Sequence, residues 1–89
     1  MKIWATLSSC QRIVSERVIS LDYASLEQAG DWTRIISDIC NELDISRPII
    51  LKKHLNDLYQ FSRVVFRPAD FIEPVRFEQF SLEVYDYQK

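Results

Sequence analysis

Apolar and polar residues alternate near both ends of the chain, over residues 2–8 and over residues 80–87. A period of two is typical of a strand with one face in the core. The side chains predicted to face the core are Ile3, Ala5, Leu7, Phe80, Leu82 and Val84. The same alternation places Trp4, Tyr85 and Tyr87 on the opposite side of the sheet.

The segment 12–21, RIVSERVISL, is rich in β-branched residues and follows a polar turn. This composition predicts a hairpin partner for the first strand. In an uninterrupted strand Ile13 and Ile19 would point one way, and Val14 and Val18 the other. Either a β-bulge exchanges the two faces, or both faces of this strand are partly covered.

Two segments in the middle of the chain have helical spacing, residues 31–43 and residues 51–61. Gly30 and Asp31 suit the start of the first helix. The side chains that we expect to be buried from the first helix are Trp32, Ile36, Ile39 and Leu43, with Ile35 and Cys40 on the same apolar stripe. Those predicted to face inward from the second helix are Leu51, Leu55, Leu58 and Phe61.

Residues 62–67, SRVVFR, predict a third strand that ends at Pro68, and residues 68–74 are typical of a turn or a single helical turn between prolines. The resulting order is ββααββ. It lacks the strand, helix, strand repeat that builds parallel sheets. We therefore predict an α+β domain with a small antiparallel sheet of about four strands and two helices on one face.

The chain has 89 residues, of which 47% are hydrophobic and 27% are charged. We expect residues 1–89 to form a single compact domain, because this size and balance are typical of one globular unit. No apolar run reaches the roughly 18 residues of a membrane span, and the first residues lack the apolar stretch of a secretion signal. We expect a cytoplasmic protein without membrane contact, in which Cys10 and Cys40 are free thiols.

Charge is uneven along the chain, although the formal net charge is only −2. Segment 47–76 carries six Lys or Arg side chains against three acids. A candidate basic patch in this segment consists of Lys52, Lys53, Arg63 and Arg67. Nucleic-acid binding usually requires a basic chain or a strongly basic face, and the isoelectric point here is near 5.3. Nucleic acid is therefore an unlikely partner, and complementary charges within one domain explain the pattern more simply.

Few residues in this chain could carry chemistry. A single glycine gives no glycine-rich loop to approach phosphates, so no nucleotide cofactor is expected. The one histidine, His54, has no metal-ligand spacing to Cys10 or Cys40, and no metal site is predicted. A small enzyme around His54 would need Cys10 or a serine as the nucleophile, oriented by Asp57 or Asp70. No catalytic residue is predicted, because a histidine beside an apolar helix stripe is more often packed and hydrogen-bonded.

The opening MKIW and the stretches ELDISRPIIL and FRPADFIEPVRF together resemble a group of short uncharacterised proteins from clostridia and related bacteria. The resemblance covers about the second half of the chain and its first residues. It implies a compact bacterial domain and carries over no functional residue, because no activity is established for the group. It also implies an aromatic residue near Ile50 and a glycine near Ser62, where a helix end often needs a left-handed conformation.

The face that carries Trp4, Tyr85 and Tyr87 is the most suggestive feature, because such rings are enriched at interaction surfaces. We expect an open aromatic patch, unless the loops at 22–30 or 68–76 cover it as a second small core. The function that we expect is a non-catalytic protein-binding or self-assembly domain, with a protein partner or a second copy. The alternatives are a nucleic-acid-associated module using segment 47–76 and a small enzyme around His54.

Overall fold

The computed structural model describes residues 2–10, 12–21 and 32–85. The elements, in chain order, are strand β1 (Lys2–Ser9), strand β2 (Arg12–Ser20), helix α1 (Trp32–Leu43), helix α2 (Lys52–Phe61), strand β3 (Arg63–Phe66), a 3-10 turn (Pro68–Asp70) and strand β4 (Gln79–Tyr85). The predicted α+β class and the order ββααββ are confirmed. The expected helix start at Gly30 and Asp31 lies outside the described residues. No helix in the described part of the chain is long and apolar enough to span a membrane.

The four strands form one antiparallel sheet in the order β2-β1-β4-β3. Strands β1 and β4, from opposite ends of the sequence, therefore lie side by side in the centre. Strand β4 has no free edge, because it pairs with β1 on one side and β3 on the other. Among the described strands, β2 and β3 lie at the edges of the sheet.

A bulge interrupts the pairing of β1 with β2, and it resolves the irregular pattern of β2. Leu7 pairs with Ser15 and Ser8 with Ile13, so Val14 is the extra residue. Directly paired residues share a face of the sheet. Beyond the bulge Ile13 therefore lies on the side opposite to Ile19, which is the first of the two interpretations that the sequence left open.

Both helices pack on one face of the sheet. The inward residues predicted for β1 and β4 are all buried there. Helix α1 contributes Trp32, Ile36, Ile39 and Cys40 to this core, whereas Leu43 at its last turn is only partly buried.

The side chains of helix α2 that are buried in the core differ in part from the predicted set. Its buried side chains are Leu58 and His54, with Leu55 partly buried. Leu51 and Phe61, which we predicted to face inward, are 47% and 66% exposed. Leu51 is the residue before the ten-residue helix, and Phe61 is its last residue.

Both helices end on a residue in the left-handed region. Asp44 follows α1 with φ 56°, and Ile45 N–H donates to Cys40 O at 3.0 Å, which is the Schellman arrangement. Ser62 follows α2 with φ 57°, and its N–H donates to Leu58 O at 2.9 Å. The chain therefore needs at Ser62 the conformation for which the resemblance implied a glycine.

Candidate interaction surface

One side of the sheet has no described helix on it, and we call this side the outer face. Strand register defines its members, since paired residues share a face. They are Lys2, Trp4, Thr6, Ser8, Ile13, Glu16, Val18, Ser20, Arg63, Val65, Gln79, Ser81, Glu83 and Tyr85, with Arg67 continuing the column of β3.

Three apolar side chains lie together near one end of the outer face. Trp4 pairs with Val18 on one neighbouring strand and with Glu83 on the other, and Tyr85 lies diagonally beside Trp4. These four residues line a surface depression of about 290 Å³. Trp4, Val18 and Tyr85 are 38%, 57% and 39% exposed. The structure therefore brings Trp4 and Tyr85 together as predicted, while Tyr87 lies outside the described residues.

The sequence alone did not place Val18 in this cluster, because its strand has an irregular period. The signal that could have placed Val18 is the regular alternation in the second half of that strand, residues 15–20. Counting back from Ile19, which shares the core face with Ile3, puts Val18 on the same side as Trp4. Only the pairing of β1 with β2 made the two residues neighbours.

The segment 68–76, one of the two loops that could have covered the rings, lies elsewhere. Phe71 and Val75 belong to the core on the helix side, and Phe71 meets Phe77 edge to face at 5.2 Å. Phe71 also bridges to Pro48. The segment therefore extends the main core and does not lie over the outer face. The other loop, residues 22–30, is outside the described residues.

Small polar residues occupy the middle of the outer face. Thr6 and Ser81 are directly paired across β1 and β4, and their hydroxyl groups are hydrogen-bonded to each other. One of the two hydroxyl groups donates its proton to the other, so the second O–H remains available as a donor. The middle of the outer face therefore carries two small, uncharged polar side chains.

Charges on the outer face are segregated by edge. The β2 column carries Glu16 between Val18 and Ile13, whereas the β3 column carries Arg63 and Arg67 on either side of Val65. The β2 column is therefore acidic and apolar and the β3 column is basic, with Glu83 of β4 paired directly with Arg63.

The structure divides the candidate basic patch into two parts. Arg63 and Arg67 line a shallow depression of about 400 Å³ that also includes Asp57 and Phe61. Lys52 and Lys53 are exposed in the first turn of α2 and do not line that depression. The basic side chains are therefore spread over the sheet edge and a helix start, and an acid lies among them.

His54 is buried and holds the start of α2. Its Nδ1 accepts a hydrogen bond from the backbone N–H of Leu51 at 2.9 Å, and its ring lies 4.5 Å from that of Phe66. An accepting Nδ1 places the proton of the neutral ring on Nε2. Nε2 lies 3.6 Å from Asp70 Oδ2, which is longer than a hydrogen bond. The neutral ring therefore keeps no free lone pair with which to act as a general base.

The two cysteines are free thiols in different surroundings. Cys10 is exposed in the turn between β1 and β2, where its Sγ donates to Glu78 Oε1 at 3.7 Å. Cys40 is buried in the core, and burial raises the pKa of its thiol to about 11, against a smaller opposing effect of Arg47. Because the thiolate is the reactive form, Cys40 is inert at neutral pH.

Within residues 2–10, 12–21 and 32–85, no three His, Cys, Asp or Glu side chains are grouped so that they could hold a metal ion. Comparisons with protein-family models, with curated proteins and with solved structures found no significant match to this chain. The geometry of the outer face is therefore the observation from which a function can be argued.

Proposed function

We propose that this protein is a non-catalytic cytoplasmic association domain, which binds a protein partner or a second copy through its outer face. The observation that carries the proposal is the exposed cluster of Trp4, Val18 and Tyr85 around one depression. Large apolar side chains scattered singly over a surface need no explanation, whereas a contiguous group marks an interaction site.

The residue types support the same function. Tryptophan and tyrosine bury a large area with only two rotatable side-chain bonds, and they dominate the energetics of many interfaces. Truncating such a ring at an interface often costs about 2 kcal/mol or more. Trp4 and Tyr85 also stand on the two central strands, which are the best supported in the sheet.

The surroundings of His54 favour a binding role over the enzyme alternative. The single histidine is occupied by the Leu51 N–H and packed against Phe66. Its role in holding a helix start explains its burial without any chemistry.

Light scattering over a range of protein concentrations tests the proposal. We expect the wild type to self-associate as its concentration rises, and Tyr85→Ser to remain a monomer with an unchanged melting temperature. Tyr59→Ser is the matched control, since Tyr59 is 41% exposed but lies on α2, on the other side of the sheet. It should associate like the wild type.

Two results would count against the proposal. Equal association of the Tyr85→Ser and Tyr59→Ser variants would show that the outer face is not the interface. A wild type that stays monomeric up to about 1 mM would exclude self-assembly, because even weak specific complexes have dissociation constants of this order or lower.

A further inference from the structure

We propose that the occupant of the outer face is a second copy of this chain, docked face to face about a two-fold axis that runs parallel to the strands. This inference rests on the proposed function and adds the identity and the orientation of the partner. Its basis is the segregation of charge between the two edges of the outer face.

A two-fold axis parallel to the strands, placed between β1 and β4, lays each edge of one sheet over the opposite edge of its partner. The β2 column of one copy then faces the β3 column of the other. Each row of one copy therefore faces the same row of the other, because a two-fold rotation adds no shift along its axis. Glu16 pairs with Thr6, Thr6 with Ser81, and Ser81 with Val65, so these four residues form one row.

The charges match in this orientation. Glu16 of one copy stands opposite Val65 of the other, with Arg63 and Arg67 two residues away on either side. Long arginine side chains can reach a carboxylate at that spacing, which is roughly 7 Å along a strand. Symmetry gives the dimer two such contacts.

The central rows are compatible with the same axis. Lys2 pairs with Tyr85 in its own sheet, so the rotation lays Lys2 of one copy over Tyr85 of the other. A lysine over a tyrosine ring is attractive, because the ring face carries partial negative charge. The same rotation lays Trp4 over Glu83 of the other copy and Val18 over its Arg63, with Lys2 two residues from that Glu83.

The other face-to-face orientation has its axis across the strands and lays each edge over itself. With the axis on the row of Glu16, Glu16 would oppose Glu16 of the second copy, and Arg63 would oppose Arg67. Like charges brought together at an interface cost several kcal/mol in unfavourable cases, on the order that abolishes weak binding. Charge therefore selects the axis parallel to the strands.

Edge-to-edge pairing through β2 is the remaining way to join two copies. Strand β2 is long, but it carries Arg12, Glu16 and Arg17 and is bulged at Val14. Charges and bulges on an edge strand are the features that discourage such pairing. The flat outer face is the better surface for a second copy.

The size of the face sets the expected strength. Four strands of about seven residues present roughly 500 Å² per copy, or about 1,000 Å² in total, using standard strand spacing and rise. Specific interfaces usually bury about 1,200 Å² or more. The dimer should therefore be weak, with a dissociation constant in the micromolar range or above.

Charge reversal tests the orientation by sedimentation equilibrium at low salt. We expect Glu16→Arg alone, and Arg63→Glu combined with Arg67→Glu, each to weaken self-association by about tenfold or more, because both contacts become repulsive. An equimolar mixture of the two variants should dimerise like the wild type, since each copy then supplies what the other lacks. Lys53 is exposed on α2, and Lys53→Glu also changes the net charge of the protein. This control variant should dimerise like the wild type.

Each outcome has a distinct meaning. If the wild type dimerises and Tyr85→Ser prevents it, but the charge variants behave like the wild type, the orientation is wrong and the outer face remains the interface. If the charge variants weaken association and their mixture does not restore it, the proposed contact between Glu16 and the two arginines is wrong. A monomeric wild type overturns the second copy as the partner.

Discussion

At the scale of single residues, positions that look exchangeable have specific structural tasks. His54 supplies a hydrogen-bond acceptor to the start of α2 from within the core. Ser62 turns the chain directly from α2 into β3, and its carbonyl accepts from the N–H of Val84 at 2.8 Å. The helix end is thereby tied to a central strand of the sheet.

The left-handed backbone at Ser62 leads to a testable free-energy difference. A residue with a Cβ pays about 1–2 kcal/mol in this region, whereas glycine does not. We expect Ser62→Gly to exceed Ser62→Ala in free energy of unfolding by about 1 kcal/mol, measured by urea denaturation. Both variants lose the hydroxyl, so their difference isolates the backbone. Equal stabilities would show that φ 57° costs nothing there.

At the scale of elements, the sheet and α1 form the centre of the core. Ile36 and Ile39 are almost completely buried, and Cys40 is fully buried beside them. Burying one such aliphatic side chain contributes about 1.5–3 kcal/mol. A helix of twelve residues would be marginal alone, so its stability comes from this contact with the sheet.

The burial of Ile39 predicts the effect of a charge in this core. We expect Ile39→Asp to prevent folding, because an unpaired carboxylate away from water costs several kcal/mol, roughly the whole stability of a small domain. Asn41→Asp introduces the same side chain at an exposed position of α1 and should melt like the wild type. Melting followed by circular dichroism distinguishes the two, and a cooperative, unshifted transition for Ile39→Asp would contradict the position of α1.

At the scale of the whole molecule, the distribution of charge matters more than its sum. The formal net charge is −2. The candidate basic patch divides between Lys52 and Lys53 in the first turn of α2 and Arg63 and Arg67 at the edge of the sheet. Affinity for nucleic acid depends on several phosphates being neutralised together. A divided set with Asp57 in its midst is a poor candidate for that task.

We accordingly expect no binding of short DNA or RNA at about 150 mM salt, measured by fluorescence anisotropy with labelled oligonucleotides. Salt-dependent binding that is lost in the double variant Lys52→Glu, Lys53→Glu would contradict this expectation. Arg12→Glu with Arg17→Glu makes the same charge change on the opposite sheet edge and serves as the control. Binding lost only in the α2 variant would favour the nucleic-acid alternative.

The elements and their order followed from the sequence, because period two and helical spacing are local properties of the chain. The period of two also distinguished the core face of β1 and β4 from the face that carries Trp4 and Tyr85. A bulge in β2 was one of two open interpretations, since a local break in period has more than one cause.

The tertiary structure alone decided that β1 lies beside β4. Pairing between β1 and β4 joins residues about eighty positions apart, and no local pattern reports it. That pairing placed β4 in the centre of the sheet and separated Glu16 from the arginines of the β3 column by the width of the sheet. The pairing of β1 with β2 put Val18 beside Trp4. Periodicity states which side of an element is apolar, whereas exposure depends on what packs against each position. For that reason Leu51 and Phe61 are exposed although they continue an apolar stripe.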